Sequence, residues 1–250
     1  MLTFTKRVVR NLLEAHGYYL RHRGSMPYGI DYMWDIERLA ASRNLEIKTF
    51  FDVGANTGQT SERVLLEFPA ARVIAFEPHP KTFAELQRLC KHRRFAAHNV
   101  ALSDKNGTGS LFCNSNTRHS LVIAEAAAQC IEVSCLTLDS FCSREAIRSI
   151  DVLKTDTEGA DLAVLRGAKG MLATGSISFV YTEFFHFYSG KHGTSLQQVA
   201  EFLRPFGFHF IATYTDFVWV KGDDFLAEGD DFFTCSNALF AARFSANRLG

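Results

Sequence analysis

The run FFDVGANTGQT places an acid, Asp52, at the end of an apolar stretch and follows it with Gly54, Asn56 and Gly58. A buried strand that ends in an acid and turns through glycines lets backbone approach a ligand at the carboxyl edge of a parallel sheet. The acid suits a cationic amine better than a pyrophosphate. Neither the GxGxxG spacing of a dinucleotide loop nor the GK[ST] of a phosphate loop is present. A second acid, Glu77, ends the run RVIAFE 25 residues on, where a carboxylate can accept both hydroxyls of a ribose. Asp52 and Glu77 together ask for a ligand that carries an amino group and a ribose. Farther along, Asp156 and Glu158 close the run IDVLKTDTE, Glu183 ends ISFVYTEF, and His186 lies just beyond. All of these fall at strand ends, so the sheet must gather them along one edge.

The elements that position them are readable from periodicity. Residues 47–54 are short, β-rich and stopped by glycine, and 60–68 carry Val64, Leu65 and Phe68 at helical spacing. A strand at 72–77, a helix at 82–92 and a strand at 96–102 follow. Residues 150–156, 159–172 and 177–184 read as strand, helix and strand. Ser195 and Gln198 form a capping box that opens a helix over 195–203, and 208–214, 217–220 and 238–243 read as closing strands. This alternation predicts an α/β fold, a doubly wound, mostly parallel sheet covered on both faces. Short strands at 109–113 and 131–136 flank an alanine-rich, helix-compatible stretch at 123–129. Residues 1–45, with a helix at 33–43, read as an N-terminal helical extension to a domain over 46–244.

Composition narrows the partners. Lys plus Arg and Asp plus Glu number 27 each, so there is no global field for a phosphate backbone or an anionic membrane, and no nucleic-acid partner is expected. No 18 consecutive apolar residues occur, and the basic N-terminus lacks a signal-peptide run. The expectation is a cytoplasmic protein without a membrane span. Six cysteines without a CxxC pair argue against zinc and read as buried thiols of a reducing compartment. Leu2, Val9, Leu12 and Leu13 oppose Lys6, Arg7 and Arg10, a pattern that suits docking on the protein's own core or on a second copy in a homodimer, and less well a membrane surface. The 23 phenylalanines read mainly as core, although Phe184, Phe185, Phe187 and Tyr188 are placed to wall an acceptor site.

DVGANTG, AFEPHP, NVALSD, the TLD of residues 137–139, and DVLKTDTEGADLAVLRGA occur in order, and with them the chain resembles the FkbM-type methyltransferases. The resemblance implies a seven-stranded sheet with one antiparallel strand, S-adenosylmethionine as donor and an O-directed transfer. Carried over by motif, Asp52 and Gly54 would hold the methionine end and Glu77 the ribose, with Asn56 and Gly58 also in the donor site. Pro78 or His79 would lie on the adenine face, with Ala101 and Leu102 beside it and Asp104 a rough candidate for its amine. A hydroxyl acceptor must lose a proton, and Asp156, Glu183 or His186 would take it. A divalent cation on Asp156, Glu158 and Glu183 is the less favoured alternative. The acceptor is expected to be a small molecule or glycan: a sugar, glycan precursor or secondary metabolite. Rival readings are a non-catalytic module that keeps the nucleoside pocket, and a nicotinamide-dependent oxidoreductase, against which the missing third glycine counts.

Overall fold

The computed structural model describes residues 2–18, 23–113, 119–121, 129–185, 193–214 and 235–243. In chain order, helices α1 (Leu2–Ala15) and α2 (Tyr32–Ala41) precede β1 (Thr49–Val53), α3 (Gln59–Glu67), β2 (Arg72–Phe76), α4 (Pro80–Leu86) and β3 (Phe95–His98). Then come β4 (Ala101–Leu102), β5 (Gly107–Cys113), β6 (His119–Ser120), β7 (Gln129–Leu136) and α5 (Leu138–Arg144). The second half contains β8 (Ile150–Thr155), α6 (Asp161–Arg166), α7 (Lys169–Ala173), β9 (Ile177–Phe185), α8 (Leu196–Leu203), β10 (Phe208–Tyr214) and β11 (Cys235–Ala242).

The main sheet has the order β10-β11-β9-β8-β1-β2-β3. Its strands are parallel except β11, which runs antiparallel to both β9 and β10. Alternation along β1 sends Phe51 and Val53 into one core and Phe50 into the other. The first core takes Phe141 of α5, Val164 and Leu165 of α6, and Val199 and Leu203 of α8. The second takes Met33 and Ile36 of α2, Val64 of α3 and Leu86 of α4. Helices therefore cover both faces, which is why the central strands are apolar throughout rather than alternating. Helix α2 is part of this core: Asp31 caps it by accepting from Met33 N and Trp34 N, and Tyr32 stacks on Tyr181 of β9 with ring centroids 3.8 Å apart.

Several expected elements resolve differently. The single strand expected at 96–102 divides, because Asn99 turns its amide back onto the carbonyls of Glu77 and Pro78 and the chain leaves the sheet. β4 pairs instead with β7, in a second sheet ordered β4-β7-β5-β6 with a small core of Ala101, Leu111, Val133 and Cys135. The helix expected at 159–172 breaks into α6 and α7 at Gly167, where a Cβ would lie 2.0 Å from Ser103 O. Asp139 restarts the chain as α7 by accepting from Gly170 N (2.6 Å) and Met171 N (2.9 Å), so it caps a helix 30 residues away rather than the one it begins. The helix expected at 82–92 starts at Pro80, with His79 as its cap, and tightens into a 3-10 turn from Gln87 to Lys91. Cys90 and Cys130 are exposed, contrary to the expectation of buried thiols. The strand expected at 217–220 lies outside the described residues, as does 123–128 of the helix-compatible stretch.

Candidate active site

A cleft of about 700 Å³, counted to its open mouth, runs along the carboxyl edge of β1, β2 and β8. Its floor and walls are built by three connections: the β1–α3 loop (Gly54, Asn56), the turn after β2 (Glu77, Pro78) and the β8–α6 loop (Asp156 to Ala160). Ligand sites in open α/β sheets form at such strand ends, because the loops there splay apart. Asn56 and Glu158 both adopt positive φ, 50° and 52°, so each of two facing loops holds a non-glycine residue in the left-handed region.

Glu77 is fixed by the backbone. Its Oε2 accepts from Asn56 N at 3.0 Å and its Oε1 from His79 N at 2.9 Å, leaving each oxygen further acceptor capacity toward the cleft. Burial raises its pKa more than these hydrogen bonds lower it. Apolar residues continue from it as a slot: Phe76, Val100, Ala101 and Leu102, closed by Leu111 of β5 and Leu121. The sequence offered no signal for Leu111 and Leu121, since only the pairing of the small sheet brings them here. Ser120 Oγ donates to Glu158 O at 2.7 Å and ties that sheet to the opposite loop.

Asp52 is fully buried behind the loop and does not line the cleft. It faces Lys154, its register partner on β8, with Nζ to Oδ1 at 3.0 Å, and accepts from Ser61 Oγ at 2.6 Å. The Lys154 ammonium also donates to Gly54 O (3.0 Å) and pairs with Asp156 Oδ2 (3.5 Å). Burial opposes its charge, but Asp52 and then Asp156 outweigh that and hold its pKa above the ordinary lysine value. Of the two acids, Asp52 is the closer partner of Lys154. The glycines serve the chain itself: a Cβ on Gly54 would lie 1.8 Å from Asp156 O, and one on Gly58 2.5 Å from Leu89 Cδ1. Gly54 still lines the cleft, whereas Gly58 does not and caps α3 from behind.

Asp156 reaches the cleft with its side chain 41% exposed. Glu183 at the end of β9 is 7% exposed, and its Oε2 has no hydrogen-bond partner among the described residues. Burial, followed by the charges of Asp156, Asp161 and Glu158, holds its carboxyl well above the usual range. Asp161, at the start of α6, is fully buried, with its pKa pushed up to about 6 by burial and then by Asp156. His186, Phe187 and Tyr188 lie outside the described residues. Phe184 is core, and Tyr214 is buried with its hydroxyl donating to Asp35 Oδ2 at 2.8 Å. Asp104 is exposed and away from the cleft lining. Among the described residues no three His, Cys, Asp or Glu side chains form a metal-binding group, and no helix is long and apolar enough to cross a membrane.

Residues 52–210, well over half of the chain, match the Methyltransferase FkbM domain. The chain belongs to the FkbM methyltransferase family. A curated relative, the 2-O-methyltransferase NoeI of Sinorhizobium fredii, is 29% identical over 154 residues, covering 53% of this chain and 61% of the relative. The matched part thus spans less than two thirds of that relative. Solved structures similar to this FkbM-family chain include the METTL16 methyltransferase domain, at TM-score 0.49 and 12% identity, covering 86% of this chain and 67% of that one. An S-adenosylmethionine-dependent methyltransferase from Clostridium acetobutylicum matches at TM-score 0.45 and 10% identity, covering 89% and 94%.

Proposed function

We propose that this chain is an S-adenosylmethionine-dependent O-methyltransferase of the cytoplasm that acts on a hydroxyl of a small molecule or glycan. The observation that carries this reading is Glu77, held by two backbone amides at the mouth of an apolar slot, opposite a loop that presents Asp156. These residues fit the donor. Glu77 would hold the ribose hydroxyls, and Pro78, Ala101 and Leu102, with Leu111 and Leu121, would enclose the adenine. Gly54, Asn56 and Asp156 would face the methionine end. Asp52 contributes from behind, by holding the lysine that fixes the Gly54 carbonyl.

When bound, the donor supplies an activated methyl group on a sulfonium. The protein aligns the acceptor and takes its proton, a role for which Asp156 is suited by its position on the cleft; Glu183, at the end of β9 and outside the cleft lining, is the other strand-end candidate. His186 belongs to the same proposal as a second candidate base. That NoeI is a 2-O-methyltransferase supports the choice of a hydroxyl acceptor. A balanced charge supports a small acceptor over a nucleic acid.

The test is calorimetric binding of S-adenosylmethionine and S-adenosylhomocysteine to the parent and to Glu77→Ala, with NADH as control. Micromolar binding is expected in the parent, with a loss of about 1–3 kcal/mol in the variant from broken charge-assisted hydrogen bonds. Binding of NADH in place of either ligand, or of none of the three by folded protein, would overturn the reading.

A further inference from the structure

Helix α1 leaves large apolar side chains in solvent. At about 100° per residue, its sequence sets Phe4, Val8, Val9, Leu12 and Leu13 within one half of the circumference and Lys6, Arg7, Arg10 and Glu14 within the other. Val8 is 50% exposed, Val9 46% and Leu12 62%, so this face is not packed into the protein's own core. Helix α2 is the opposite case, with Met33, Ile36 and Ala40 buried. The charge of the first segment is as uneven as its hydropathy. Residues 1–24 carry Lys6, Arg7, Arg10, Arg21 and Arg23 against Glu14, in a chain whose charges balance. Of these, Arg23 is held by Glu37 at 2.6 Å and by the Trp34 ring. The helix layer that α1 leads into, formed by α2, α3 and α4 over one core, carries more of the same charge: Lys81, Arg88, Lys91, His92 and Arg93 are exposed there, with only Glu85 between them in sequence.

We propose that α1 is a peripheral anchor for an anionic phospholipid bilayer: it lies in the plane of the headgroups, with its apolar half toward the acyl chains and its basic half among the phosphates. An amphipathic helix with a basic polar face binds in this way by two additive forces, burial of its apolar side chains and attraction to anionic lipid. A second copy of this chain is the competing occupant, and two arguments count against it. The face of α1, roughly 21 Å long and about 10 Å wide, gives with its counterpart well short of the roughly 1,000 Å² that a specific interface buries. Pairing two such helices would also gather Lys6, Arg7 and Arg10 of both copies with only Glu14 of each to oppose them, whereas anionic headgroups complement them. The anchor adds a location to the methyl-transfer reading and does not depend on it.

The test is flotation of the full chain with vesicles of phosphatidylcholine alone and of phosphatidylcholine mixed with phosphatidylglycerol, at low and at high salt. Binding is expected on the mixed vesicles, is expected to be absent on phosphatidylcholine alone, and should be reversed by salt, which screens surface charge. Lys6→Gln/Arg7→Gln/Arg10→Gln should lower the partition coefficient by roughly 100-fold, as expected for three basic residues near the surface. Val8→Ser/Leu12→Ser, which keeps the charge, should lower it by about tenfold or more. Both variants should melt with the parent, because the substituted positions belong to neither core of the main sheet. Folded parent that ignores the mixed vesicles, that floats equally well with phosphatidylcholine alone, or whose binding survives either set of substitutions overturns the proposal. Sedimentation velocity of the free protein separates the rival occupant: a dimer that Val8→Ser/Leu12→Ser splits into monomers would assign the face to a second copy and overturn the proposal as well.

Discussion

Replacing Lys154 by Met removes the cation that Asp52, Asp156 and the Gly54 carbonyl share while keeping most of the side-chain volume. At the observed 3.0 Å between Lys154 Nζ and Asp52 Oδ1, an effective dielectric of about 20 gives an attraction of roughly 5–6 kcal/mol before the cost of dehydrating both groups. Removing one partner of a buried pair strands the other charge, at about 3–5 kcal/mol. Asp52 has no water to turn to, since it is fully buried and its only other side-chain partner is Ser61 among the described residues. Against a total stability of about 5–15 kcal/mol, Lys154→Met should remain folded but melt roughly 10 °C lower or more. The double variant Asp52→Asn/Lys154→Met leaves no stranded charge. It should be more stable than Lys154→Met alone, with a coupling energy of roughly 2–3 kcal/mol in a double-mutant cycle followed by guanidinium unfolding. If the two substitutions simply add, the pair is not what holds the β1–β8 edge together, and the account of Asp52 given above is wrong.

The glycine loop gives a graded comparison. Gly54→Ala meets fixed backbone at 1.8 Å and Gly58→Ala meets the tip of a leucine at 2.5 Å, both at positive φ, so Gly54→Ala should be the more damaging by several-fold in folded yield on thermal and proteolytic assays. Asp139→Ala removes two acceptors from the start of α7 and should cost about 1–2 kcal/mol in chemical denaturation, leaving S-adenosylmethionine affinity unchanged; an affinity loss would mean that α7 supports the cleft.

The strand-end acids were legible because their signal is local: an apolar run terminated by Asp52, Glu77, Asp156 or Glu183 reads the same way in one dimension as in three. What each acid faces was not legible. The sequence pointed Asp52 at a ligand amine, but strand register sets it opposite Lys154, and register is a relation between segments about a hundred residues apart. The glycines illustrate the same limit. Their presence in DVGANTG was plain, yet the reason for Gly54 is the carbonyl of Asp156, which no local pattern announces. The departure of the chain at Asn99 hinged on one side-chain amide reaching two carbonyls, so β-propensity alone carried the third strand four residues too far. Asp161 opens α6, where an acid has an ordinary explanation in the sequence, and only the packing reveals its complete burial.

The split between β3 and β4 divides the labour of the protein in a further way. The seven-stranded order closes without residues 101–136, while Leu111 and Leu121, carried by the smaller sheet, form one wall of the cleft. The strand-end acids are therefore locked to a framework that cannot change length, whereas the wall hangs on a hairpin that can be recut without disturbing the strand order. Descent with modification can refit one end of the cleft by trading a cassette, leaving the charges that define the other end in place.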